Sequence, residues 1–293
     1  MPNDNLKSYL HLHLIVFIWG FTAVLGKLIS LTALDLVWYR MVFALFFVGL
    51  FLFFSKQGFK ISTHHFFSFF ISGIVIAAHW YTFYEAIKVS NISVTLACLS
   101  TGAFFTSLLE PIFFNRKIVL YEVILGIFVI VGIGVIFSVD THYIKGILLA
   151  LLSAFLSASF SIINGKFAKD NDPVQISFYE LLGGVFFISI YILFVGGFTK
   201  EFFSISMPDL FWLIILASVC TAYAFSASVK VMKFLSPYTV MLTINLEPIY
   251  GIILAILIFE NSEKMNPMFY LGALIILSTV LLNGYLKNQS KKN

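Results

Sequence analysis

The feature that most constrains this sequence is a succession of long apolar runs separated by short loops. An α-helix of ~20 apolar residues crosses the ~30 Å hydrocarbon core of a bilayer. Ten runs have about that length: Tyr9–Ile29, Leu34–Phe54, His65–Ala86, Ser93–Phe114, Val119–Ser138, Lys145–Lys166, Val174–Gly196, Asp209–Lys230, Tyr238–Phe259 and Met268–Leu286. The sequence therefore predicts an all-α integral membrane protein with ten transmembrane helices.

The composition indicates that lipid is the solvent for most of the surface. Charged residues make up 11% of the 293 residues, against ~25% in a typical soluble domain, and 35 residues are phenylalanine. The ten runs leave no room for a soluble domain. The run around Trp19 continues to Lys27 without a small-residue cleavage site, so we interpret it as an uncleaved first helix.

The distribution of basic residues predicts the orientation of the chain. With the N-terminus in the cytoplasm, basic residues are more frequent at the inner loops and helix ends than at the outer ones, as the positive-inside rule requires. The inner set is Lys7, Lys56, Lys60, Arg116, Lys117, Lys166, Lys169, Lys230, Lys233, Lys287, Lys291 and Lys292, and the outer set is Lys27, Lys88, Lys145, Lys200 and Lys264. We therefore expect a multi-pass protein of the cell (inner) membrane with both termini in the cytoplasm. The net charge of +4 then reflects topology, and it predicts no nucleic-acid partner.

The chain also repeats itself, with an offset that drifts as loop insertions require. The matched segments are Gly26-Lys27 with Gly165-Lys166, Tyr39-Arg40 with Tyr179-Glu180, and Ala86–Asn91 with Val231–Ser236, at offsets of 139, 140 and 145. They predict two five-helix repeats, residues 10–138 and 145–287. Because five is an odd number, the second repeat is expected to enter the membrane upside down. Inverted repeats with a site near the midplane are typical of transporters.

One carboxylate lies near the middle of an apolar run, at Glu247, and is followed by Pro248. An ionisable side chain there costs at least ~2.5 kcal/mol and the proline removes a backbone donor, so both should face protein or a wet cavity. Glu247 could bind a substrate ammonium group or a proton, or it could hydrogen-bond the backbone opened by Pro248. The same four letters recur at Leu109–Ile112, but an offset of 145 pairs Glu247 with Gly102, so Glu110 is not its equivalent.

Opposite charges at matching repeat positions suggest two gates. Arg40, early in the second run, offers a bidentate fork for an anion, or it could extend to the outer interface. We favour an ion pair or a gate for it. Glu180 is its counterpart in the seventh run, which would place one gate on each side of the membrane. Glu85 and Glu110 are further candidates for ion pairs or gates.

The densest polar and aromatic cluster is in the third run, at His79, Trp80, Tyr81 and Tyr84. It could line a cavity for a cation or an amphipathic solute, or form an interfacial aromatic belt. His79 lies too deep for a belt, which favours the cavity. Further cavity candidates are Trp19, Thr101, Tyr223, Asn245 and Tyr250. For the aromatic members core packing is the favoured alternative, and a hydroxyl in such a helix often bonds its own backbone.

Cysteines and glycines are assigned structural roles. Cys98 and Cys220 each lie alone within a run, so neither a disulfide nor a metal site is expected. Small residues allow helices to approach closely. Those of the fifth and tenth runs are Gly126, Gly132, Gly134, Gly272 and Gly284. We interpret these two helices as a scaffold or dimer contact, so the protein is expected to be a monomer or a homodimer.

Short motifs follow one another in a recognisable order: Trp19-Gly20, Tyr39-Arg40, Ala86-Ile87-Lys88, Lys233–Pro237, Leu246-Glu247-Pro248 and Phe259-Glu260. Their order and spacing over about residues 10–287 resemble the EamA-type transporters of the drug/metabolite transporter superfamily. The resemblance implies a ten-helix inner-membrane carrier with inverted repeats that moves small metabolites, amino acids or drugs outward by alternating access. A motif shared by a whole family favours the structural role for Glu247. Ala103 and Arg116 depart from the family pattern in the first half.

We therefore predict a secondary transporter that exports small organic metabolites or amino acids through a central cavity between the repeats, without enzyme activity, catalytic residues, metal or cofactor. Multidrug efflux is the alternative, because the sequence contains residues suited to a metabolite site and residues suited to a drug site. An integral membrane enzyme is disfavoured because no dense histidines have acidic partners at ligand spacing. The sequence has no phosphate-binding glycine loop of the kind that a primary pump needs. It also shows no charged ring of the kind that a channel uses. Proton coupling through Glu247, Glu110, Glu180 or His79 and uniport both stay open.

Overall fold

The computed structural model describes residues 2–56, 58–114, 120–139 and 143–290. Of the residues named above, Arg116, Lys117, Val119, Lys291 and Lys292 lie outside the described residues, as do the side chains of Ser138, Gly284 and Lys287.

The described part of the chain consists of helices and loops, without strands. The α-helices are α1 (Pro2–Gly20), α2 (Thr22–Leu28), α3 (Ala33–Phe54), α4 (Thr63–Val89), α5 (Ile92–Leu99), α6 (Gly102–Phe114), α7 (Leu120–Val139), α8 (Ile144–Asp170), α9 (Pro173–Phe194), α10 (Met207–Ala217), α11 (Ala224–Val231), α12 (Pro237–Ile244), α13 (Glu247–Phe259) and α14 (Pro267–Ser290). A π-helix, Ser218–Tyr223, joins α10 to α11, and a 3₁₀ turn, Glu260–Ser262, follows α13.

Eight stretches of the described chain are long and apolar enough to cross a membrane. They are Leu6–Leu28, Ala33–Phe54, Thr63–Val89, Ile92–Phe114, Ile144–Asp170, Pro173–Phe194, Met207–Val231 and Pro237–Phe259. The other two predicted spans correspond to α7 and α14, whose described apolar stretches, Ile124–Val135 and Pro267–Thr279, are shorter. The chain is therefore an all-helical, multi-pass membrane protein.

The starts of the long helices follow from residues that satisfy the free N–H groups of a first turn. At six starts a side-chain oxygen accepts a hydrogen bond from a backbone N–H two or three residues ahead: Thr32, Ser62, Asn91, Asp172, Ser206 and Ser236. Pro173 and Pro237 occupy first helical positions. A backbone N–H at that position has no acceptor within the helix, so the proline gives up no helical hydrogen bond. Local sequence therefore sets where these spans begin.

Two of the spans are interrupted near their middles. Ser100 and Thr101 separate α5 from α6, and Asn245 and Leu246 separate α12 from α13. The helices α12 and α13 begin and end 145 residues after α5 and α6, and α9 begins and ends 140 residues after α3. These are the offsets of the sequence matches. The break before Glu247 therefore has its counterpart before α6, while Glu110 lies well inside α6.

The centre of the molecule is built by helices from the two halves of the chain. The helix α4 packs against α8 and α9, and α3 packs against α9. The approach of α4 to α9 is so close that a Cβ added at Gly73 or Gly183 would overlap the facing backbone carbonyl of Glu180 or Phe70. The helices α7 and α14 pack against each other, with Gly132 facing Ile276.

Candidate functional site: a charged aromatic cavity

A cavity of about 80 Å³ lies between helices of both halves, at the level of the two helix breaks. It is lined by Trp19, Thr22, Arg40, Ile76, His79, Trp80, Phe83, Leu99, Ser157, Phe160, Ser161, Phe225, Ser228, Met232, Met241, Ile244 and Glu247. Five of the residues singled out from the sequence as cavity or gate candidates thus meet in one place: Trp19, Arg40, His79, Trp80 and Glu247. The cavity is mostly apolar, with one basic and one acidic side chain in its wall.

Arg40 is held rigidly by uncharged partners. Its Nε donates to Thr221 Oγ1 at 2.8 Å and its Nη1 donates to Tyr84 Oη at 2.9 Å. The guanidinium carbon lies 3.9 Å from the centre of the Trp80 ring, a cation–π contact. Arg40 is only 3% exposed and forms no ion pair with any described residue, so the expected structural ion pair is not observed. Two of its five N–H donors are used in these bonds, which leaves donors for a solute.

Glu247 is the acidic member of the cavity wall. It is 5% exposed and begins α13, where the positive end of the helix dipole stabilises a negative charge. No described residue donates a hydrogen bond to its carboxylate, so the expected bond to the backbone opened by Pro248 is not formed. Glu247 and Arg40 share the cavity without contacting each other. Two opposite charges are therefore both available to a solute.

The ring systems of the cavity are fixed by bonds made behind the wall. Trp19 Nε1 donates to the backbone carbonyl of Cys220 at 3.0 Å, within the π-helix. His79 Nδ1 lies 2.9 Å from the carbonyl oxygen of Ser153 and 2.8 Å from its hydroxyl. Trp80 packs edge-on against Phe225, with ring centres 5.7 Å apart. These bonds orient flat aromatic surfaces towards the cavity.

Three of the predicted cavity residues lie behind its wall. Tyr84 is fully buried and accepts the Arg40 hydrogen bond, so it positions the guanidinium. Thr101 donates to the carbonyl of Cys98 at 2.7 Å, the local backbone bond considered as its alternative role. Asn245 is 1% exposed and ends α12 at the helix break. None of the three lines the cavity.

Three further predicted cavity residues are not among those that line this cavity. Tyr81 is 37% exposed, because the residue after Trp80 is turned ~100° around the helix. Tyr223, the last residue of the π-helix, is 45% exposed, and its hydroxyl bonds His11 at 2.9 Å. Tyr250 packs edge-on against Phe17. The sequence carries no periodic signal for a π-helix.

The remaining gate candidates are not in the cavity wall. Glu180 is fully buried between α9, α4 and α8 and accepts hydrogen bonds from Ser72 and Asn164. Glu85 lies 3.5 Å from Lys145 in an exposed ion pair. Glu110 is 2% exposed inside α6. None of the three lines the cavity with Arg40.

Sequence reasoning missed a carboxylate that closes one end of the molecule. Glu263 is fully buried, lies 2.6 Å from Lys27 Nζ, and accepts from the backbone N–H groups of Ile92 and Ser93 at 3.2 and 3.0 Å. It ties the loop after α13 to the N-terminus of α5 and to α2. Its loop position gave it no hydropathy signal. Its position beside the free N–H groups of α5 is set by the fold and could not be seen in the sequence.

The same end is closed by a second carboxylate. Asp209, near the start of α10, accepts from the Ser30 backbone N–H at 2.7 Å and from the Ser30 hydroxyl at 2.6 Å. Ser30 lies between α2 and α3. This bond and the Glu263 contacts hold the loops at this end together. In the described part of the chain no group of three metal-binding side chains is present.

Fold and site together define a multi-pass membrane protein with an internal, charged, aromatic cavity. The model of the EamA-like transporter family matches residues 6–138 and 144–285. The chain therefore belongs to the EamA-like transporter family, with two copies of the family unit.

Solved structures support the same architecture. A crystal structure of another protein superimposes with a TM-score of 0.69, covering 96% of this chain and 98% of that chain at 12% identity. At this identity the likeness shows the fold alone. A search of proteins of curated function found no match to this sequence.

Proposed function

We propose that this protein is a secondary transporter that exports small zwitterionic metabolites of the amino-acid type by alternating access. The observation that carries the proposal is the pair of opposite charges, Arg40 and Glu247, which line one aromatic cavity without pairing with each other. A zwitterion presents the matching charges, a carboxylate and an ammonium group. Binding it satisfies both buried groups at once.

The roles of the two charges follow from their chemistry. A guanidinium binds a carboxylate through parallel N–H···O bonds, and Arg40 keeps donors for this purpose. An ammonium group needs an acceptor, and the Glu247 carboxylate accepts no bond from a described residue. The faces of Trp80 and Trp19 supply apolar contact to the rest of the solute. The two helix breaks lie at the same level, as in carriers whose sites lie between half-helices.

The size of the cavity favours metabolites over drugs. Drug-sized ligands occupy pockets of ~300–1,000 Å³, whereas this cavity measures about 80 Å³. A compact solute fits such a space with small adjustments of Met232 and Met241, whose flexible side chains line it. Multidrug efflux would require a much larger rearrangement.

Alternating access is proposed to run between the end closed by Glu263 and the opposite end. If ten helices form two inverted five-helix repeats with cytoplasmic termini, the Glu263 end faces outward. The cavity then receives its solute from the cytoplasm. Export requires the Lys27–Glu263 ion pair and the Asp209–Ser30 bonds to open, while the repeats close at the inner end.

Transport of labelled amino acids tests the proposal. Proteoliposomes loaded with an unlabelled amino-acid mixture are given the same mixture in radiolabelled form, and its entry by exchange is followed. Arg40→Gln and Glu247→Gln are each expected to raise KM at least ~10-fold, since a charge-assisted hydrogen bond contributes ~1.5–3 kcal/mol. Glu85→Gln, in the exposed ion pair with Lys145, is the control. Exchange that is absent in the wild type, or unchanged in both cavity variants, contradicts the proposal.

A further inference from the structure

The central packing of the protein contains a carboxyl group that the proposed substrate site does not use. Glu180 of α9 is fully buried. Its Oε1 accepts from Ser72 Oγ at 2.6 Å and from Asn164 Nδ2 at 3.0 Å. Ser72 belongs to α4 and Asn164 to α8, so three helices from the two halves of the chain meet at this group.

The second oxygen of this carboxyl is in a different situation. Glu180 Oε2 is buried and has no hydrogen-bond partner among the described residues, and the same holds for Asn164 Oδ1 and Ser161 Oγ. Buried polar atoms are nearly always hydrogen-bonded. An ionised carboxylate can only accept, so it cannot satisfy the carbonyl oxygen of Asn164. A protonated carboxyl carries one donor, and that donor suits a neighbouring acceptor.

We propose that Glu180 and Asn164 form a proton-binding site, and that the proton held there is the coupling ion of the transport cycle, an inference that rests on the proposed transport function. The proton sits on Glu180 Oε2 and is donated to the Asn164 amide oxygen. Asn164 Nδ2 donates in return to Oε1. The amide and the carboxyl then form a paired, neutral unit inside the helix bundle.

The site has a short connection to the cavity. Ser161 lies one helical turn before Asn164 on α8, so the two side chains share a face. Ser161 lines the cavity, and its hydroxyl is both donor and acceptor. On the other side Ser72 lies one turn before Ile76, another cavity residue. A proton released from Oε2 is taken up by water that enters from the cavity beside Ser161, and a carboxylate is left behind.

The surroundings of Glu180 favour a neutral group. Among the described residues, the side chains that hydrogen-bond its carboxyl are the hydroxyl of Ser72 from α4 and the amide of Asn164 from α8. No charged side chain of the described residues on the neighbouring helices forms an ion pair with it, and Arg40 and Glu247 face the cavity instead. Rebinding of a proton from the opposite side of the membrane completes the cycle.

The proton itself is the probe for the first test. Purified protein in phospholipid vesicles is titrated with acid and base while infrared difference spectra record the carbonyl stretch of protonated carboxyls. We expect the wild type to show this band at neutral pH and Glu180→Gln to lose one carboxyl's share of it. Glu247→Gln is the comparison, because it removes a different buried carboxyl. A wild-type spectrum that Glu180→Gln leaves unchanged overturns the proposal.

Flux measurements separate this proposal from the transport function. Accumulation of the labelled amino-acid mixture in wild-type vesicles should respond to an imposed pH gradient, and Glu180→Gln and Asn164→Ala should abolish the response. The control Glu85→Gln should respond as the wild type does. Accumulation that does not respond to the pH gradient, or that responds to a sodium gradient instead, overturns proton coupling even if transport is present. A wild type that moves no amino acid contradicts the proposed function, while the infrared spectra still decide whether Glu180 binds the proton.

Discussion

At the scale of the residue, the cavity depends on one guanidinium held by three neighbours. Thr221 and Tyr84 accept its hydrogen bonds, and Trp80 packs against its face. Making all three contacts at once suits the planar, forked shape of arginine, which lysine does not have. The conservative replacement is therefore informative, because it keeps the charge and removes the geometry.

We expect Arg40→Lys to raise KM for amino acids at least ~10-fold, because the two fixed hydrogen bonds that orient the group are replaced by a mobile ammonium. The variant should also unfold at a lower temperature, since Thr221 and Tyr84 lose a buried partner. Exchange assays and thermal unfolding in detergent measure both effects. Lys145→Arg, at the exposed ion pair with Glu85, is the matched control, and equal behaviour of the two variants would contradict this account.

The sequence singled out some of the residues that the structure brings together and missed others. Buried charge and aromatic density pointed to Arg40, Glu247, His79 and Trp80, which the structure brings together in one cavity. The same reasoning could not decide which of the neighbours Trp80 and Tyr81 lines the cavity, because the buried face of a helix depends on the helices that pack against it. Glu263 was missed, since a carboxylate in a loop looks solvated until the N-terminus of α5 is placed beside it.

At the scale of the element, close helix packing sets the shape of the molecule. The helix α4 crosses α9 where Gly73 and Gly183 let the two backbones approach. In lipid, where hydrophobic attraction between helices is weak, such contacts contribute much of the packing energy. Glu180 and Ser72 lie beside this crossing, so the crossing also positions the proposed proton site.

We expect Gly183→Ala to destabilise the protein by ~1–3 kcal/mol, because the added methyl group overlaps the Phe70 backbone and forces the helices apart. Thermal unfolding in one detergent measures the effect. Gly134→Ala in α7 is the control, since an added Cβ there meets no atom within 4 Å. If both alanine variants unfold at the same temperature, the close crossing is not a source of stability.

Elements were well predicted where local sequence decides them. Apolar runs marked the long helices, and the repeat offsets of 140 and 145 are those that relate the helix bounds. The interruption of α12 and α13 could be suspected from Pro248, but α5 and α6 break at Ser100 and Thr101 without a nearby proline. The π-helix at Ser218–Tyr223 had no signal in the local sequence. It coincides with tertiary contacts, such as the Trp19 bond to the Cys220 carbonyl, that local sequence does not reveal.

At the scale of the whole molecule, the described contacts distinguish the two ends. One end is held together by buried carboxylates, Glu263 and Asp209, on the loops. The cavity lies at the level of the helix breaks. Membrane class and family follow from the sequence, because lipid-length apolar runs and repeated motifs are local features. The chemistry of the solute does not follow from the sequence, because it depends on which charges remain unpaired after folding.

The central claim is that the cavity recognises both charges of a zwitterion, and ligand binding to the purified wild-type protein tests it most directly. The amino acid with the highest exchange rate is titrated calorimetrically beside its methyl ester, which lacks the carboxylate, and its N-acetyl derivative, which lacks the ammonium group. We predict that each derivative binds at least ~10-fold more weakly than the parent, because each leaves Arg40 or Glu247 buried without a partner. Equal affinity for the parent and both derivatives would contradict the account.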